Sequence, residues 1–200
     1  MSAPDAQLRL YGLHTVNAAL ANPLRRKSVL NITENALPRL DEALIARSGV
    51  EVRLYEPKAL DAMVGAEAVH QGVILDCEPL DGIDASELFH LADKKLVLAL
   101  DQIADPHNVG AILRSAVAFG AGALVTTSRH SPAESGVLAK AASGALEHID
   151  MIEVKILAAA LEEIHAELLT MLRELVENLD KHEKLLTRDM DELDQAQVEK

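Results

Sequence analysis

The residues best suited to chemistry lie between Leu100 and Glu147. An apolar run, Lys95 to Leu100, ends at Asp101 and gives way to a polar loop through Asp105, Pro106, His107 and Asn108. Gly110 and Arg114 follow inside a segment, Val109 to Phe119, whose apolar residues recur at helical spacing. A second apolar strand, Ala123 to Thr126, runs into Arg129-His130-Ser131-Pro132, and Lys140 and Glu147 come after it. In open α/β sheets, ligands bind beyond the carboxyl ends of strands and near helix N-termini, where backbone N–H groups favour anions. One sheet edge is therefore expected to collect Asn108, Arg114, Arg129, His130 and Lys140. Asn108 and Arg114 are six positions apart, so they converge only with Asn108 in the loop and Arg114 in the second helical turn.

Other candidates carry less. His107 and His130 have no Cys or His partner at ligand spacing, so they read as loop histidines and no metal is expected. His14 and His70 read as hydrogen-bonding structural histidines. Arg25-Arg26-Lys27 could touch RNA phosphate, or be a solvated cluster favoured by a helix dipole; the sequence leaves both open. Cys77, inside an apolar strand, reads as inert core.

The elements that must position these residues alternate. Residues 8–80 read as a small α/β unit with a helix that Val16–Leu20 starts and that ends near Asn22-Pro23, further helices over Leu37–Arg47 and Lys58–Val64, and strands over Lys27–Ile32, Val50–Leu54 and Val73–Cys77. This alternation suggests parallel pairing. Residues 81–95 read as a linker carrying a short helix, Ala85–Leu91, capped by Asp84. A second α/β unit starts at 96. Its first strand, continuously apolar, is expected to be buried on both faces. Helices follow over Val109–Phe119 and Gly136–Ser143, and a last strand falls within Glu147–Val154. From Leu157, leucines recur every three or four residues, giving one amphipathic helix of about thirty residues. Thr187 or Asp189 is expected to cap a short final helix before a frayed end. The last 56 residues contain neither Gly nor Pro, which suits a helical hairpin or coiled coil and not more α/β structure.

Composition bounds the partners. Net charge is −13, and residues 151–200, with 6 basic and 13 acidic side chains, hold more than half of it. A nucleic-acid protein is expected to show a basic footprint, so overall charge points away from RNA. With no Trp, 2 Phe and 2 Tyr, base stacking on aromatics is nearly unavailable. A single cysteine excludes an internal disulfide, and no apolar stretch approaches the length of a membrane span, so a soluble cytoplasmic protein is expected.

The motifs point the other way. Asn108-x-Gly110-x-x-x-Arg114-Ser115-Ala116 resembles the first motif of the SpoU/TrmH (SPOUT) family of RNA 2′-O-ribose methyltransferases. Ser131-Pro132, Ser135-Gly136, Lys140 and Ser143-Gly144-Ala145-x-Glu147 continue that pattern. Tyr11-Gly12-Leu13-His14 and His70-Gln71-Gly72-Val73 resemble the start and end of the family's substrate-binding domain. The resemblance covers residues 9 to about 165, nearest to the subgroup that methylates a guanosine ribose in large-subunit ribosomal RNA. It implies an RNA-binding α/β domain (8–80), the linker (81–95), the first half of a knot-type Rossmann-like domain (96–165) and a helical tail atypical of the family (166–200). It implies S-adenosylmethionine as methyl donor and ribosomal RNA as substrate, while the leucine stripe of the tail helix, in need of a partner, makes it a candidate surface for a homo-oligomer.

By the same resemblance, Arg114 activates the ribose 2′-hydroxyl and orients the phosphate, with Asn108 in support. Arg25, Arg26, Lys27, Arg129, His130, Lys140 and Glu147 become candidate RNA contacts. The family continues with a Gly-Glu-Gly-like motif and a third motif holding Ser, Leu, Asn and Val, and neither follows here, so no donor-binding residues are named. Two expectations stand: a ribose methyltransferase, or a catalytically incomplete homologue that binds RNA or self-associates through its last helix.

Overall fold

A computed structural model of the chain describes residues 8–82, 96–129 and 131–198. The chain divides into two units, Met1–Leu157 and Ala158–Lys200.

The first unit is built on two sheets. In the N-terminal sheet the strand order is β1 (Leu8–Tyr11), β4 (Val73–Cys77), β2 (Lys27–Ile32), β3 (Glu51–Leu54). Only β2 and β3 pair in parallel; β4 runs antiparallel to both β1 and β2. The expected all-parallel pairing is therefore corrected to a mixed sheet. β4 enters the sheet between β1 and β2 and runs opposite to both, although a helix precedes it as one precedes β3. β4 is buried at every position because it has a strand on each side. Buried within this sheet, Asp76 accepts from Asn31 Nδ2 at 2.9 Å and from Arg9 Nε at 3.0 Å, which satisfies its charge.

Helix α1 (Leu13–Ala21) follows β1 directly, and α2 (Glu42–Ser48) and α3 (Pro57–Val64) flank β3 in the chain. The expected Leu37–Arg47 helix is broken: a 3₁₀ turn covers Leu37–Arg39, Leu40 is extended, and Asp41 starts α2 by accepting from Ala43 N and Leu44 N. A capping carboxylate competes well for those N–H groups, and so sets the boundary.

The second sheet, β5 (Val97–Leu100), β6 (Ala123–Thr127) and β7 (Asp150–Val154), is parallel throughout. β6 is central and fully buried. β5 is at the edge among the described strands, with Val97 40% exposed, so the expectation of burial on both faces is corrected. Helices α4 (Pro106–Ala118) and α5 (Gly136–Ala142) connect these strands. The expected Ala85–Leu91 helix and its Asp84 cap lie outside the described residues. One continuous core runs through both sheets, from Leu10, Val16 and Leu75 to Leu113, Leu124 and Leu138.

The second unit is a single helix, α6 (Leu157–Val198). The expected break near Thr187 is absent: without Gly or Pro, nothing in the sequence stops 42 residues from propagating as one helix. Leu168, Leu172, Leu175, Val176 and Leu179 are each more than half exposed along it. No helix among the described residues is long and apolar enough to cross a membrane.

Candidate functional site

Asp105 caps α4, its side chain accepting from His107 N at 2.9 Å, and Pro106 occupies the first turn, where its missing N–H costs nothing. Asn108 therefore sits inside the first turn of α4, and not in the loop as expected. Six residues of helix place Arg114 about 9 Å further along the axis and about 120° round from it. The two flank a surface and do not meet at a point. Both side chains are exposed, and neither makes a hydrogen bond or ion pair among the described residues. Beside Asn108 lies an open depression lined by Gln102, Ile103, Ala104, Asp105, Ala111 and Ile112. Gln102 was not singled out by its sequence context. It holds a left-handed backbone, φ 55°, an uncommon conformation for a residue with a Cβ.

The loop after β6 is anchored from below. Thr127 Oγ1 donates to Arg129 O at 2.6 Å, and Thr126 and Ser131 share a hydroxyl hydrogen bond. This displays Arg129 in solvent with its side chain unpaired. His130 lies outside the described residues.

The other expected RNA contacts are placed differently. Arg25 is buried, with its side chain 0% exposed. It reaches Glu147 twice, at 2.6 and 3.3 Å, and Glu134 at 2.5 Å, and donates to Glu78 O at 2.9 Å. Asn22 Nδ2 also donates to Glu147, whose side chain is 1% exposed. Burial pulls the Arg25 pKa down, but the hydrogen bond to Glu147 and the fields of both carboxylates outweigh it, and the pKa lies above its ordinary value. Glu134 is raised: burial outweighs the attraction of Arg25 and the hydrogen bond from Leu80 N. Lys27 donates to Asn22 O at 2.5 Å, and burial lowers its pKa. Lys140 donates to Gln71 Oε1 at 2.8 Å, and burial lowers its pKa too. Arg26 stays exposed, beside Glu78 and Asp81. Arg25, Lys27, Lys140 and Glu147 thus face protein groups, and the expected single edge retains Asn108, Arg114 and Arg129 with free side chains.

The remaining motif positions share that role. Ser135 caps α5 by accepting from Leu138 N. A Cβ at Gly136 would meet Arg9 O and the Tyr11 ring of β1, and one at Gly110 would fall 2.5 Å from Ala141 Cβ. These glycines permit close approach of backbone to backbone. Glu134 and Gln71, both missed as functional positions, complete the contacts; only the structure pairs them with Arg25 and Lys140.

The structure gives no enclosed cradle for a nucleoside donor among the described residues. The depression beside Asn108 is open, and its one carboxylate, Asp105, is engaged as a cap. The described residues alone form no closed pocket for S-adenosylmethionine. No group of three or more His, Cys, Asp or Glu among the described residues could hold a metal.

A mixed sheet carrying α1 to α3 is joined to a parallel sheet with a capped helix displaying Asn and Arg, an α/β architecture of two sheets. Residues 95–190 match the SpoU rRNA methylase family, and residues 9–82 match the RNA 2′-O ribose methyltransferase substrate-binding family. The chain belongs to the SpoU/TrmH family. It is 33% identical over 165 residues to the 23S rRNA (guanosine-2′-O-)-methyltransferase RlmB of Coxiella burnetii, covering 79% of this chain and 65% of that one. Against the RlmB of Pseudomonas putida it is 37% identical over 163 residues, covering 78% and 65%. Among solved structures, the SpoU methyltransferase AviRb of Streptomyces viridochromogenes, captured with AdoMet, superposes with a TM-score of 0.61 at 17% identity, over 82% of this chain and 61% of that one. The chain thus spans about 65% of the length of these curated relatives.

Proposed function

We propose that this protein takes part in S-adenosylmethionine-dependent 2′-O-methylation of a guanosine ribose in large-subunit ribosomal RNA. The supporting observation is the free Asn108 and Arg114 pair on α4, exposed beside an open depression in a chain of this family. A ribose hydroxyl has a pKa far above neutrality, so its attack needs a positive charge beside the developing alkoxide. The Arg114 guanidinium supplies that charge and a bidentate hold on the neighbouring phosphate. Asn108, with both donor and acceptor atoms, orients the sugar. Arg129, and Arg26 on the N-terminal unit (here residues 8–80), contact backbone phosphate.

In this reading residues 8–80 form the RNA-binding domain and 96–165 the methyltransferase part. The donor supplies the methyl group; the described residues supply the acceptor side. The protein works in the cytoplasm as a homo-oligomer, and the exposed leucines of α6 give a surface for self-association. Transfer of labelled methyl from S-adenosylmethionine to a large-subunit rRNA fragment tests the reading. Incorporation that disappears in Arg114→Ala is expected; a wild-type chain that neither binds the fragment nor transfers methyl overturns it.

A further inference from the structure

Several motif segments that invite a catalytic reading converge on one short helix. α5 lies between the N-terminal sheet and α4, and both of its ends are tied to the N-terminal unit. Flanking it in sequence, Glu134 and Glu147 hold the buried guanidinium of Arg25. The contact to Glu147 uses both carboxylate oxygens, which fixes orientation as well as distance. In its last turn, Lys140 donates to Gln71, whose same Oε1 also accepts from Leu13 N at 3.1 Å, at the start of α1. A single tie would leave a pivot. Two ties at the two ends of a helix about 10 Å long leave none. On its other side, α5 touches α4 where Gly110 leaves no room for a methyl group. Asn108 is two residues before that contact and Arg114 four residues after it.

We infer that α5 is a two-ended strut that makes the N-terminal unit and the Asn108–Arg114 helix one rigid body. RNA held by the N-terminal unit then meets α4 at a fixed distance and register. Arg25 and Lys140 are positioning residues, acting through α5, and do not contact phosphate. The register part rests on the proposed RNA-binding function; the rigidity part does not.

The test uses the full chain with spin labels at Arg47→Cys on α2 and Ala118→Cys at the end of α4, both exposed positions. The native Cys77 is buried, with its thiol pushed up to about 12 by burial, so it stays unlabelled. The distance distribution is expected to be single and narrow in the parent, broad in Arg25→Ala, and intermediate in Arg25→Lys. Should Arg25→Ala fail to fold, Lys140→Ala loosens the tie in the last turn of α5 and gives the same readout. Affinity for rRNA hairpins of increasing length adds a measure that mere stability does not move. The parent gains about tenfold once an RNA spans residues 8–80 and α4, by raised effective concentration, and the loosened variant loses that gain while short hairpins bind unchanged. A loosened variant that only melts earlier, with its distance distribution as narrow as the parent's, overturns the strut. Distances that broaden as expected in a parent that binds no RNA support the strut and overturn the proposed function.

Discussion

Two surfaces of the first unit use the same residue types to opposite ends. Around α5, every cation is held by a protein group: Arg25 by two glutamates, Lys27 by a backbone carbonyl and Lys140 by Gln71. Along α4 and the loop after β6, Asn108, Arg114 and Arg129 have no protein partner among the described residues. Around Arg25 the first surface excludes water and turns charge into fixed geometry. The second leaves its charge open to solvent. A basic residue in a motif is therefore not evidence of RNA contact until its partners are known.

Breaking the closed surface carries the largest expected effect. Arg25→Ala strands two buried carboxylates, and loss of one side of a buried ion cluster costs about 3–5 kcal/mol. Urea unfolding of the variant should show that loss, and a change below about 1 kcal/mol would mean the cluster is open to water. Next is the open surface. Arg114→Ala should change stability by no more than about 0.5 kcal/mol, yet lower methyl transfer by about 10² to 10³-fold, as when an oxyanion-stabilising donor is removed. Equal losses in both assays would erase the contrast between the surfaces.

Gly110→Val probes where the two surfaces touch back to back. The new side chain must displace Ala141, and overpacking of this kind costs about 1–3 kcal/mol, visible as a lowered melting temperature. The smallest effect concerns pH. Burial raises the Glu134 pKa in the folded protein above its ordinary 4.5. The folded state then holds a proton that the unfolded state has released, so this group's contribution to stability falls as pH rises from about 4.5 through the raised value. Glu134→Gln, at a cost of roughly 1 kcal/mol for an imperfect replacement of the Leu80 hydrogen bond, should flatten that slope. An unchanged stability–pH profile would show that Glu134 titrates normally.

The alternation of apolar and polar segments was legible because it is a local property. It marked β2, β4, β5, β6, α4 and α5 to within a few residues, and the absence of Gly and Pro marked α6. β1 and the break at Leu40 were not legible: four residues carry too little pattern, and Asp41 competes for N–H groups that the periodicity alone assigns to a longer helix.

The sequence by itself determined the family, through the spacing of Asn108, Gly110, Arg114, Ser135, Gly136, Gly144 and Glu147. It also marked the start of the last helix at Leu157, though not its unbroken length. Only the tertiary structure decided which of those residues face solvent and which face each other. Arg25 and Glu147 are 122 positions apart, and Lys140 and Gln71 are 69 apart. Local periodicity reaches about one element, whereas an ion pair depends on where two distant elements come to rest, and that is set by the packing of the whole core.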